Sequence, residues 1–411
     1  MEASMKTSMR FVSPRIRFKN YSNSWELIAL KDLLKLDSRP IDMDDEKEYQ
    51  LVIVKRRYDG VVSRGIFKGR DVKVKSQFEL RHKDFVISKR QIVHNACGIV
   101  PRELHGTIVS NEYCVFTPQK NLDILYFNYF CHQPIVSQSF FQSSIGVHIE
   151  KMLFKVPTWL KHRFYFPSLL EQQKIASFLS VVDEKIRQLT RKKELLEQYK
   201  KGVMQQIFSR KLRFKDENGK NYPEWEEKRL GEMAELLKGK GVSKKDVDKD
   251  GATPCVLYGE LYTRYQEVID EVVSKTNVPQ KDLVISKAND VIIPSSGETQ
   301  IDIATASCVL RNGIALGGDL NIIRSDINGV FLSYYLNQEK KVDIARMAQG
   351  NAVVHLYNSQ LQHLRIQIPS KSEQRQIAEM LAGIDRRIRN LEKTIEQTQT
   401  FKKGLLQQMF V

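Results

Sequence analysis

PSLLEQQKIASFLSVVDEKIRQLTRKKELLEQYKKGVMQQIF, residues Pro167–Phe208, aligns without a gap onto PSKSEQRQIAEMLAGIDRRIRNLEKTIEQTQTFKKGLLQQMF, residues Pro369–Phe410. The offset is constant at 202 residues, and 18 of the 42 positions are identical. Self-similarity of this kind marks a tandem duplication. Shared features include Glu171-Gln172 with Glu373-Gln374, Asp183 with Asp385, and KKG at Lys200–Gly202 with KKG at Lys402–Gly404. Outward from the two segments the repeat continues. RIRFK at Arg15–Lys19 echoes KLRFK at Lys211–Lys215, each followed by a Trp-Glu pair, Trp25-Glu26 and Trp225-Glu226. Weaker echoes join DFVIS at Asp84–Ser88 to DVIIP at Asp290–Pro294, LYFNYF at Leu125–Phe130 to VFLSYY at Val330–Tyr335, and Val147-His148-Ile149 to Val354-His355-Leu356.

Each long segment carries a heptad stripe. Ile175, Leu179, Val182, Ile186, Leu189, Leu196, Val203 and Ile207 alternate spacings of three and four once Lys193 and Lys200 are counted as seam positions. Ile377, Leu381, Ile384, Ile388, Leu391, Ile395, Leu405 and Met409 do the same, with Thr398 and Lys402 in the seam. Two equal stripes in one chain are expected to bury each other as an antiparallel coiled coil with a pseudo-twofold axis. Gly202 and Gly404 interrupt good helix formers, which implies a close packing contact or a bend. The rest reads as irregular α+β modules, with strands at Leu51–Val54, Phe85–Ile87, Ile99–Val100, Val291–Ile293 and Leu320–Ile323 between polar turns. The expected division is 1–166, a first variable domain; 167–208, a conserved helix; 209–368, a second variable domain; and 369–411, a second helix.

A chain of 411 residues suits two or three domains. Its 65 Lys and Arg exceed 49 Asp and Glu, a net charge of +16 that suits a polyanionic partner. The excess is unequal: residues 1–166 carry +10, residues 209–368 are neutral and each conserved helix carries +3. No apolar run approaches the ~18 residues a membrane span needs, and MEASMKTSMRFVSPRIRF lacks a signal-peptide core, so a cytoplasmic protein is expected. Five cysteines without a C-x-x-C pair read as ordinary thiols. No P-loop, dinucleotide-binding glycine motif, H-E-x-x-H, N-P-P-Y or D-P-P-Y is present, which argues against a stand-alone nuclease or methyltransferase. The acid pairs Asp44-Asp45 and Asp183-Glu184 read as solvated surface, and His148 and His355 as structural.

The duplicated layout, the P-S-x-x-E-Q-x-x-I-A opening and KKG-x-x-QQ-x-F close of each helix, and the Trp-Glu pair before each variable domain resemble the specificity subunit of type I restriction–modification systems. PSSGETQIDIATAS at Pro294–Ser307 and GGDLN at Gly317–Asn321 resemble a target-recognition domain of that family. The resemblance implies a non-catalytic, sequence-specific DNA-binding subunit. Each variable domain would read one half of a bipartite site in double-stranded DNA, and the helices would space the halves. Implied partners are two modification subunits bearing adenine-N6 methyltransferase activity and S-adenosylmethionine, and restriction subunits that use ATP and Mg; no cofactor is expected in this chain. One departure stands out: ten extra residues between Phe154-Lys155-Val156-Pro157 and Pro167, relative to the LRIQIP of the second half.

Residue type and loop position then suggest contacts to bases and phosphates. In the first domain these are Lys89, Arg90 and Gln91 after DFVIS, with Arg64 and Asn95; in the second, Ser295, Ser296, Glu298, Thr299 and Gln300 after DVIIP. Ordinary loop polarity is the alternative for each. Glu171, Gln172, Glu373 and Gln374 are either helix-start residues or docking contacts for the modification subunits.

Overall fold

The computed structural model describes residues 12–350 and 353–411, so residues 1–11 of the stretch read above as lacking a leader lie outside the described residues. The chain forms two compact units: residues up to Leu189 with Thr394–Val411, and Thr190–Lys393. Each unit therefore holds one α+β domain and two stretches of long helix.

In the first unit an antiparallel sheet runs in the order Leu34–Asp37, Tyr113–Pro118, Phe85–Ser88, Cys97–Ile99. The second unit repeats that order with Ala234–Lys238, Leu320–Ser325, Val291–Pro294, Ser307–Val309, then adds Val268–Ile269 in parallel. Both central strands are buried along their whole length, which explains why DFVIS and DVIIP are continuous rather than alternating apolar runs. The first unit carries a further five-stranded sheet with no counterpart of that size in the second, in the order Pro40–Ile41, Gln77–Glu79, Ile108–Ser110, Glu48–Val54, Val61–Lys68.

Strand Arg163–Phe166 pairs with Glu26–Ala29, and Arg365–Ile368 pairs with Glu226–Arg229. This corrects the supposed ten-residue excess. RFYFP at Arg163–Pro167 is the true counterpart of RIQIP at Arg365–Pro369, at the same offset of 202, and the short helices Val156–Trp159 and Asn358–Leu361 keep that offset. Apolar character alone had drawn FKVP into the wrong register.

A proline ends each of these strands and a serine then caps a long helix, the central helix Leu169–Phe208 and the C-terminal helix Lys371–Gln408. The Oγ atoms of Ser168 and Ser370 accept from the N–H groups of Glu171 and Glu373, both at 3.4 Å. Within the second unit the helices pack antiparallel: Lys193 meets Glu392 at 2.9 Å, and seven residues further on Lys200 meets Asp385, seven residues back. Within the first unit Lys402 pairs with Asp183 in the mirrored sense, so the second lysine-glycine motif faces the first aspartate. Asp183 is thus held in a cluster, not left on solvated surface as its sequence position suggested.

Both seams merge with a domain core. Ile175, Leu179 and Val182 share one apolar cluster with Leu405, Met409, Phe410 and the aromatic helix residues Tyr126, Phe127 and Phe130. Val203, Ile207 and Phe208 join Ile377, Leu381, Ile384 and Ile388 around Phe331 and Tyr335. Midway the stripes, at Leu189, Leu196, Leu391 and Ile395, are half-buried. At Gly202 a Cβ would meet nothing within 4 Å, and at Gly404 only the end of Gln408 at 3.9 Å. Close packing is therefore not what these glycines serve within either unit. All five cysteines are buried free thiols, and burial pushes those of Cys114 and Cys255 up to about 11 and that of Cys308 to about 12.

Candidate nucleic-acid interface

The start of each long helix is a buried clasp. Glu171, 1% exposed, accepts two bonds of 2.8 Å from the Arg17 guanidinium, and Glu373, also 1% exposed, accepts from Arg213 at 3.2 and 3.0 Å. Bidentate Arg–carboxylate geometry is what makes a buried charge tolerable. Gln172 takes the N–H of Asp123 at 3.0 Å and donates to the carbonyls of Asn121 and Pro167. Gln374 likewise takes the N–H of Asn328 at 2.8 Å and donates to Pro369. Asp123 and Asn328 are themselves the N-caps of helices Ile124–Phe130 and Gly329–Tyr335. All four side chains are buried and hydrogen-bonded inside their own unit, which favours the helix-start reading of Glu171, Gln172, Glu373 and Gln374 over the docking one. The RxRF and LRF arginines are the clasp's other half.

Further along, Asp183 accepts from Tyr129 at 2.6 Å and Lys402, while Asp385 accepts from Tyr334 and Lys200. Each lysine also sits over the ring of its tyrosine, at 5.6 Å in the first unit and 5.1 Å in the second. Burial, with the neighbouring aspartate, pushes both phenols up, so they stay protonated donors. These repeated polar clusters are scaffold. They hold each domain against its helices.

In the first unit the domain loops gather most of the predicted residues. Lys89, Arg90 and Gln91 follow strand Phe85–Ser88 as expected. Lys89 donates its Nζ to the Asn111 carbonyl at 2.6 Å, Arg90 pairs with Glu112 at 2.6 Å, and Gln91 accepts from Arg56 at 2.8 Å. Arg64 projects from strand Val61–Lys68 over the Phe67 ring and lines a cleft with Glu112 and Tyr113. Of the three cations, Arg90 is the one held by an acid, Glu112, while Lys89 is held by a backbone carbonyl and Arg64 lies over an aromatic ring. Asn95 is different: it turns the chain with φ 60° and accepts from Ser137 at 3.0 Å, a local structural role.

Sequence alone did not pick out Arg56, Arg57 or the hairpin formed by Ser144–Ile145 and Leu153–Phe154, which joins this face through the Phe154 N–H to the Lys89 carbonyl at 3.0 Å. The V-H-I echo at Val147–Ile149 proves out of register: Val147–Ile149 lie in the turn of this hairpin, and the residue that matches Leu356 in its bonding is Phe154.

In the second unit the equivalent turn abuts a short strand, Val354–His355. Ser296 pairs with His355, and the Leu356 N–H reaches the Ser295 carbonyl at 3.0 Å. Ser295 and Ser296 are buried, so the expectation that they touch DNA is replaced by a framework role. Glu298, Thr299 and Gln300 are exposed, with Thr299 capping helix Gln300–Ile303 and donating to Asp302 at 2.6 Å. Among the described residues no group of three or more His, Cys, Asp or Glu is placed to hold a metal, and no helix is long and apolar enough to cross a membrane.

Two domains of one design, each with a polar turn after its central strand bonded to a second segment further along the chain, define a duplicated recognition protein. The family of type I restriction modification DNA specificity domains matches at residues 22–198 and again at 222–399, and the chain belongs to that family, whose members are non-catalytic DNA-recognition subunits. It is 23% identical over 416 residues to the type I restriction enzyme MjaVIII specificity subunit of Methanocaldococcus jannaschii, covering 93% of this chain and 91% of that one. The MjaX specificity subunit of the same archaeon is 26% identical over 257 residues, a match spanning 61% of this chain and 59% of the relative. In fold, the S subunit of a type I restriction–modification system from M. genitalium superposes with a TM-score of 0.61 at 15% identity, covering 97% of this chain and 99% of the other.

Proposed function

We propose that this specificity subunit reads a bipartite DNA site, one half with each unit, and that its paired helices set the spacing of the halves and dock two modification subunits. The supporting observation is the recurrence in both units of a polar turn after the buried central strand, bonded to a later segment of the chain, on a repeated scaffold. Two readers of different surface chemistry suit two unlike half-sites. Adenine-N6 methylation, with S-adenosylmethionine, and restriction driven by ATP and Mg then belong to the modification and restriction subunits.

Replacing residues 25–150 by the equivalent segment of a related subunit is expected to alter one half of the methylated sequence in cells and leave the other unchanged. A change in both halves would refute independent readers. The purified chain with DNA, Mg and S-adenosylmethionine is expected to turn nothing over.

A further inference from the structure

The hairpin of the first unit carries an apolar tip that its fold does not use. Val147 is 95% exposed, Ile145 66% and Ile149 55%. Gly146 makes the turn tight, since a Cβ there would lie 2.8 Å from the Cα of Met152 and 3.1 Å from the Lys151 carbonyl oxygen. The tip is tied to the face described above. Phe154 bonds to the backbone of Lys89, and the Glu150 carboxylate meets Arg56 at 3.1 Å and His94 at 3.0 Å. Arg56, which meets Glu150, and Lys151, within the same turn, are both exposed.

Single exposed aliphatic residues are ordinary. Three on one tight turn, with cations beside them, make an apolar patch on a surface suited to a polyanion. A DNA groove presents hydrogen-bonding edges at every base pair but only one kind of apolar group, the 5-methyl of thymine. An aliphatic tip carried to the groove by cations therefore has that methyl as its apolar counterpart.

We propose that Val147, at the head of the Ile145–Ile149 tip, reads a thymine in the half-site of the first unit. This rests on the DNA-reading function proposed above. It assigns sequence discrimination to a residue that makes no hydrogen bond through its side chain and neutralises no phosphate.

The test uses the complex with its modification subunits and the site mapped by methylation. Each thymine is replaced singly by uracil, which lacks only the methyl. Wild type is expected to lose about fourfold in affinity at one position of one half-site, the weight of one methyl group returned to water. Val147→Ser is expected to show that same loss on the unmodified site and no further loss with uracil, while Val147→Ile retains the discrimination. The salt dependence of binding stays unchanged, because no cation is removed. Indifference of wild type to uracil at every position, additive losses, or a first half-site without an A·T pair overturns the inference. So does a Val147→Ser protein that fails to assemble with modification subunits yet still discriminates uracil, which would make the tip a protein-docking surface. Absence of any discrete methylated site would instead overturn the proposed function itself.

Discussion

At the scale of single residues the two halves perform the same chemistry at different depths, and depth decides the cost of disturbing it. The Lys200 and Asp385 side chains are 15% and 5% exposed, whereas those of Lys402 and Asp183 are 22% and 38% exposed. Lys200→Ala strands a buried carboxylate and is expected to cost about 3 kcal/mol. Lys402→Ala leaves an acid that water can reach and is expected to cost about 1 kcal/mol. Denaturant titration of the full chain measures both, and equal losses would show that burial does not set the difference. Beside Lys402, burial lowers His132 to about 4, with the Lys402 charge adding to the shift and Asp183 opposing it. In the unfolded chain the imidazole binds its proton near 6.5. Between those values the unfolded state holds more protons, so stability falls as pH drops from ~6.5 to ~4, by up to about 1.4 kcal/mol per unit. The ring of Tyr58 stacks on His132 with the centroids 4.2 Å apart and helps hold it in place. His132→Asn, matching Asn337 of the second unit, is expected to flatten that part of the stability profile measured by urea denaturation across pH.

At the scale of elements, the long helices were the most legible part of the chain. A heptad stripe is local information, and its repetition at one offset doubled the signal. The buried central strands were legible for the same reason, as short apolar runs between turns. The clasp was not, because Arg17 and Glu171 are 154 residues apart and nothing in either stretch names its partner. The candidate interface is legible in part: the place of Lys89–Gln91 just after a buried strand follows from the sequence, but the depth of Ser295 and Ser296 does not, because it depends on the strand Val354–His355 laid beside them. The glycines of the KKG motifs pose an element-level question. With open space at both Cβ positions, Gly202→Ala and Gly404→Ala are each expected to stabilise the isolated subunit by about 1 kcal/mol, seen as a raised midpoint in thermal unfolding. Unchanged or lowered stability would mean that the backbone there departs from ordinary helix.

At the scale of the whole molecule, the proposed ruler function can be tested by length. One heptad added after Leu189 and another after Leu391 keep the seam in phase and lengthen each helix by about 10 Å. That is about three base pairs of duplex at ~3.4 Å each, with a rotation of roughly 100° that the helices do not follow in full. Methylation mapping is expected to show a spacer longer by three base pairs at reduced activity; an unchanged spacer at full activity would mean that something else sets the distance. The makeup of the first unit bears on its birth as well. Phe410 lies 5.2 Å from Tyr126, and Ile16 bonds through its N–H to Gln408, so this core closes only with residues from the far end of the sequence. Roughly 200 residues, the entire second unit, separate its two pieces. At about 5–20 residues per second the ribosome needs on the order of 10–40 s to make them. During that interval the first domain must wait with an aromatic gap where Phe410 belongs, so the domain begun first is the one completed last.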